Sequence, residues 1–462
     1  MGRIMNDKFD IKRWCRAFPL AILLASSGLV VSAVAQQPSD GWYRISDDAE
    51  PNYAPVVRAD SLHLSGNATR RGANGWVGDT YRQDVQDPID VDGLDQVPAA
   101  PAEGPKPAVG PSLQVASNAD PSADRPQQDW CCLGPPRYLF GTRNGLTIGG
   151  WTQAGYHNKN LPLFNNRRSE LNLHQAWLFA EKCISQPNSY FDINFRTDAV
   201  YGIDAQDIQA FGHEPLGDPD GWDNDLDNGA YGWAIPQAYV EIGDGRDSIK
   251  FGKFFSIFGY ERAAAAENFF YSHSYAYYFT NPFTQTGALA TFDRGRVVYT
   301  AGVVAGWETG FEQFRDAVSF VGGVSIKKSP NETLAVSVSA GDTGYLDDGY
   351  LVTSVYENRL SKQLTFVLQT DRLDTDTVDE YGASGYLVYY FNHCLGVGAR
   401  TEWWRTDRFT GGEQSVVNWT YGANYRPDAN VVIRPEVRFE GGAATANSFD
   451  TPVFGIDAIL FF

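Results

Sequence analysis

Val431-Val-Ile-Arg-Pro-Glu-Val-Arg-Phe-Glu440 places Val431, Ile433, Val437 and Phe439 on one face of an extended chain. Arg434, Glu436, Arg438 and Glu440 fall on the other, because successive side chains of a strand point to opposite sides. Alternation of this kind predicts a β-strand. Charges of both signs crowd one face, and a soluble sandwich accommodates them by leaving that face in solvent and burying the apolar one. A closed barrel in a bilayer does the reverse, with the charged side lining water and the apolar side against lipid. The choice between the two rests on the rest of the chain.

The same scheme recurs. Leu395-Gly-Val-Gly-Ala-Arg-Thr-Glu-Trp-Trp404 sets Arg400, Glu402 and Trp404 on one face, and Phe191, Ile193 and Phe195 oppose Asp192, Asn194, Arg196 and Asp198. From residue 146 onward such segments divide the chain into 146–156, 169–182, 190–201, 235–243, 248–256, 286–292, 296–306, 319–328, 332–341, 350–360, 363–372, 383–391, 395–406, 416–426, 430–440 and 453–462. Sixteen is an even number, as barrel closure by hairpins requires. Tight connections at Ser329-Pro-Asn331, Ser361-Lys362, Asn392-His-Cys394 and Pro427-Asp-Ala429 alternate with joins expected to reach eight residues or more. Short turns on one rim and long loops on the other characterise outer-membrane barrels. Strands of about 9 to 11 residues suffice to cross a bilayer when tilted, and closure removes the edge whose unpaired N–H and C=O groups hydrocarbon cannot satisfy. The expected fold is therefore all-β, a closed antiparallel transmembrane β-barrel of sixteen strands over residues 138–462.

One long connection differs in character. Ile257 to Thr286 reads IFGYERAAAAENFFYSHSYAYYFTNPFTQT. Its alanine run, Ala263 to Ala266, favours one or two helical turns because ordering alanine costs no side-chain entropy. Phe269, Phe270, Tyr271, Tyr275, Tyr277, Tyr278 and Phe279 follow, more aromatic surface than solvent tolerates without cost. We expect this stretch, the third long loop, to fold inward and narrow the lumen. Glu261, Arg262 and Glu267 would face the constriction, with Arg400, Glu402, Arg434, Glu436 and Arg438 as charged wall residues and ion preference tuned through the local field.

Upstream, Arg3, Lys8, Lys12, Arg13 and Arg16 precede an apolar run from Phe18, and Ala33-Val-Ala35 ends it, the pattern of a cleaved export signal over 1–35. Residues 36–137 lack apolar periodicity and include the Pro-rich stretch 98–111, so a mostly disordered periplasmic linker is expected. Thirty-seven basic residues against 56 acidic ones give a net charge of −19, leaving no basic excess for nucleic acid. Cys131, Cys132, Cys183 and Cys394 all fall on the expected periplasmic side in an oxidising compartment and are predicted to form two disulfides. No cofactor is expected. Asp223-Asn-Asp-Leu-Asp-Asn-Gly229, within the acidic stretch 218–229, has the alternating carboxylates of half a calcium loop but Ala234 where the closing glutamate belongs. Six histidines are scattered and neither a Gly-x-Ser-x-Gly elbow nor a phosphate-cradling loop occurs, so an enzyme is not expected. A receptor or adhesin using long external loops is the alternative to a channel.

Phe258-Gly-Tyr-Glu261, Asn268-Phe-Phe-Tyr-Ser-His-Ser-Tyr275, Pro282-Phe-Thr-Gln-Thr-Gly287 and Gly149-Gly-Trp-Thr-Gln-Ala-Gly155 together resemble the OmpL-like β-barrel porins, over Leu146 to Phe462. The resemblance implies an integral outer-membrane channel for small solutes in contact with lipid, and by further analogy a homotrimer. Phe454, Ile456, Ala458 and Leu460 alternate up to Phe462, an ending that resembles the signal read by the barrel assembly machinery.

Overall fold

A computed structural model of the chain describes residues 136–462 apart from 139, 144, 162, 183–191, 212–221, 224–225, 245, 313–315, 408–411, 444 and 446–447. The expected signal 1–35, the linker up to residue 135, and Cys131, Cys132 and Cys183 lie outside the described residues. After a two-residue strand, Thr142–Arg143, come β1 Leu146–His157, β2 Leu171–Lys182, β3 Asp192–Gly202, β4 Gly232–Gly243, β5 Asp247–Phe255, β6 Thr284–Asp293, β7 Val297–Val304 and β8 Ser319–Ser329. The second half holds β9 Glu332–Asp342, β10 Asp348–Arg359, β11 Leu364–Thr375, β12 Asp379–Tyr390, β13 Leu395–Thr406, β14 Gln414–Asp428, β15 Val431–Gly442 and β16 Val453–Phe461.

Each strand pairs antiparallel with its neighbours in the chain, and β16 returns to β1 from Gly455↔His157 to Phe461↔Trp151. The last residue completes the seam: Phe462 N–H donates to Gly150 O at 3.0 Å and Gly150 N–H to Phe462 O at 2.9 Å. The sheet is thus a closed sixteen-stranded barrel, which leaves hydrocarbon no strand edge to desolvate.

Burial decides between sandwich and barrel. On β16, Phe454, Ile456 and Leu460 are 46%, 38% and 52% exposed, while Asp457 between them is 2% exposed. On β15, Arg434, Glu436, Arg438 and Glu440 are all buried. Trp403 and Trp419 likewise stand outside, and Arg400, Glu402 and Asn418 inside. A water-soluble sheet of the same sequence would present the opposite faces.

The rims are unequal, most clearly in the first half. One carries the tight connections 294–296, 330–331, 360–363, 391–394 and 429–430, and the other carries 158–170, 203–231, 256–283 and 305–318. On that second rim 443–452 keeps the expected length of eight residues or more, whereas the other joins shrink to 343–347, 376–378 and 407–413. The strands there run further than their apolar alternation: Gly341 still pairs with Gly349 and Asp374 with Asp379. Turn-forming Gly and Asp residues extend the ladder without an apolar pattern to announce it.

The alanine run departs from expectation as well. Only a single 3-10 turn, Ala265–Glu267, forms there. Gln175 of β2 takes the backbone groups that a helix would use, its Nε2 donating to Ala263 O at 2.8 Å and its Oε1 accepting from Ala265 N–H at 3.1 Å. A register shift opposite Gln153 and Ala154 leaves both His174 and Gln175 buried, the effect of a β-bulge. A second irregular turn, π-helical, spans Ala276–Thr280.

Candidate functional site

The connection 256–283 has little regular structure, so its backbone N–H and C=O groups need partners outside itself. The inner face of β13 to β16 supplies them. Arg434 Nη1 donates to Ala265 O at 2.9 Å, Asn268 O at 2.8 Å and Phe270 O at 3.3 Å, while its remaining nitrogens pair with Asp457. Arg400 Nη1 donates to Ser272 O at 2.7 Å and Arg438 Nη1 to His273 O at 2.8 Å. The glutamates do the converse. Glu436 Oε2 accepts from the amides of Tyr271 and Ser272 at 3.0 and 3.1 Å, and Glu402 accepts from those of Tyr275 and Ala276 at 3.0 and 2.8 Å. Arginines hold carbonyls and glutamates hold amides over residues 265–276. Such charge-assisted bonds are each worth about 1.5–3 kcal/mol.

Side chains reinforce this docking. The Tyr271 hydroxyl lies 2.6 Å from His174 Nε2, and His174 Nδ1 lies 2.7 Å from Asp204 Oδ1. A carboxylate only accepts, so His174 carries a proton on Nδ1. The wall makes room with glycine. A Cβ on Gly155 would stand 2.4 Å from the Tyr271 hydroxyl, and one on Gly398 would stand 2.5 Å from the Phe269 ring. Neither position tolerates a side chain while the loop stays where it is.

Across the barrel, from β6 to β11, the inner face carries aliphatic residues among mostly uncharged polar ones such as Thr291, Ser337, Thr353 and Gln369. Leu289, Val304, Val321, Leu351, Val355 and Val367 are buried there and cluster with Ile257, Phe258 and Phe270 of the connection. The polar ties on this side come mostly from uncharged groups: Ser337 Oγ donates to Ile257 O at 3.0 Å, Tyr260 N–H to Gln369 Oε1 at 2.7 Å and Thr353 Oγ1 to Asn281 Oδ1 at 3.0 Å, while Asn281 Nδ2 donates to Asp371 Oδ1 at 3.1 Å.

The charges of the connection itself divide. Glu261 is buried and accepts from Arg400 Nη1 at 2.7 Å, the Ser274 amide at 2.7 Å and the Tyr386 hydroxyl at 3.2 Å. Burial pulls its carboxyl upward, but Arg400, His273 and the Ser274 amide more than cancel that and leave it below the usual carboxylate range. Arg262 is buried and turns back on its own segment, donating to the carbonyls of Phe258, Gly259 and Glu261. Glu267 is exposed. The fold therefore brings Glu261, Arg400, Glu402, Arg434, Glu436 and Arg438 into one cluster around residues 261–276, with Arg262 and Glu267 outside that set of bonds.

Elsewhere, Cys394 is disulfide-bonded. In the acidic loop, Asp223 accepts from the amides of Ala210 and Ile235 at 2.9 and 2.8 Å, and Asp227 accepts from Gln209 Nε2 at 2.6 Å. Residues that sequence reasoning missed are Gln175, His174, Asp204 and Tyr386, which lie on or beside strands far from the connection in the chain. The alternating charges signalled the β13 and β15 residues, but no local pattern marks these four.

Against this geometry stand the relatives. The family described as Putative beta-barrel porin-2, OmpL-like, matches residues 145–462. No curated protein matches the chain in sequence. Among solved structures, OprB of Pseudomonas putida is 11% identical with a TM-score of 0.47, covering 71% of this chain and 99% of its own. The anion-selective porin of Comamonas acidovorans is 12% identical with a TM-score of 0.45, covering 69% and 99%. OmpT of Vibrio cholerae, in trimer form, is 10% identical with a TM-score of 0.45 and the same coverage. These likenesses are too distant to carry an argument, whereas the family match spans the whole barrel from the first strand to the last residue. The chain belongs to the OmpL-like β-barrel porins.

Proposed function

We propose that this barrel is an outer-membrane porin that lets small hydrophilic solutes or ions diffuse passively, and that the connection 257–286 narrows its lumen. The single observation that carries the reading is the inverted wall, apolar outside and charged within, the requirement for a water-bearing cylinder in lipid. The hydrogen bonds of the connection to β2, β9, β11 and β15 support a segment stretched across the lumen. Sixteen strands enclose room for an aqueous path. The rim of tight turns, with disulfide-bonded Cys394, faces the oxidising periplasm, and the N-terminal region lies on that side. A homotrimer is part of the same proposal, with the mass of the detergent-purified complex as its check. The function is tested by refolding the full chain into a planar bilayer in KCl. Discrete current steps are expected, and their absence at any protein concentration that gives inserted barrels would refute the channel.

A further inference from the structure

The interior of a wide barrel is either a water-filled channel or a plugged one, and a loop that merely lines a channel keeps its lumen side wet. The connection 256–283 does not. Ser274, Tyr275, Ala276 and Thr280 are at most 1% exposed. Each of the sixteen strands likewise carries an inner-face residue no more than 5% exposed, Ser384 and Asn418 in the charged sector and Val321 and Leu351 in the other among them.

A second layer lies toward the rim of long loops. Leu161 and Leu163, from the connection between β1 and β2, are buried in one cluster with Tyr275, Phe279 and Trp404, and the centre of the Phe164 ring lies 4.9 Å from that of His273 and 5.2 Å from that of Phe283. Toward the tight-turn rim the interior opens. Glu267 is exposed there, and Phe269 of the connection with Thr365, Tyr390 and Asn424 of the wall are half-buried.

We propose that residues 271–283 are a plug, that the barrel described here is shut, and that current flows only when the plug leaves the wall. This rests on the porin reading above and adds gating to it. The latch is a pair of carboxylates: Glu436 holds the amides of Tyr271 and Ser272, and Glu402 holds those of Tyr275 and Ala276. Strands β13 to β15 pair with one another without using the plug, so it can leave while the barrel stays closed.

The test uses the full-length protein, in planar bilayers for current and in detergent micelles for labelling. Wild-type barrels in KCl are expected to be shut for most of the record, with brief steps. Glu402→Gln combined with Glu436→Gln keeps the side-chain shapes but removes the charge assistance, and should raise the open fraction roughly tenfold. Ser384→Cys should resist a charged maleimide while Thr365→Cys reacts readily, each rate taken over that of the parent protein. Wild-type channels that stay open, an open fraction unchanged in the double variant, or Ser384→Cys reacting as fast as Thr365→Cys would each overturn the plug and leave the porin standing. The two cysteine rates need no latch variant, so they decide the matter even if the double variant does not fold. Absence of current from wild type and folded double variant alike removes both readings.

Discussion

The two sides of the inner wall hold the same connection by different physics. On β13 to β16, Arg400, Glu402, Arg434, Glu436 and Arg438 grip main-chain atoms one by one. On β6 to β11, Leu289, Val321, Leu351 and Val367 hold side chains by shared burial. Directional bonds to the backbone fix position irrespective of which side chains the connection carries. Apolar contact rewards area and tolerates rearrangement. The charged side therefore holds the main chain of residues 265–276, while the other side adds shared burial to bonds at Ile257, Tyr260 and Asn281.

The sharpest way to break that comparison is Arg434→Ala. It frees three loop carbonyls and leaves Asp457 buried without its guanidinium, and removing one partner of a buried pair costs about 3–5 kcal/mol. A marked fall in the denaturant midpoint of the refolded barrel is expected, accompanied by larger and noisier current steps as residues 265–270 come loose. Glu402→Ala strands the amides of Tyr275 and Ala276. Its cost is about 2–4 kcal/mol, again with increased conductance.

Val367→Ala on the opposite sector removes two methyl groups from a packed site, which costs about 2 kcal/mol. It should lower the midpoint while leaving the current steps unchanged. If Val367→Ala altered conductance as much as Glu402→Ala, the division of labour would be wrong. The smallest effect concerns acid. Glu261 titrates below its unfolded value of about 4.3, so its contribution to stability is complete above that pH and is lost as pH falls through the depressed folded value. Melting temperature followed below pH 5 should drop more steeply for the wild type than for Glu261→Gln.

Much of this architecture is written in local pattern. Alternation at Val431–Glu440 and in the run ending at Phe462 announced strands, and the charge on one face announced which side would turn inward, because a period of two is a property of the strand alone. Glu261, Arg400 and Arg434 were recognisable as inner-face or loop charges for the same reason. The aromatic density of residues 269–279 marked that connection as one that could not remain in solvent.

What local pattern could not convey is who bonds to whom. Ala263–Ala266 reads as helix until Gln175, on a strand far away in the chain, claims its backbone. Arg400 and Arg438 read as wall charges facing water until they are found holding the carbonyls of Ser272 and His273. Composition and periodicity determined a closed sheet with a polar interior, since each strand reports its own two faces. Only the tertiary structure decided that Arg400, Glu402, Arg434, Glu436 and Arg438 are spent on an irregular backbone, because those partners meet through closure of the sheet and share no sequence neighbourhood.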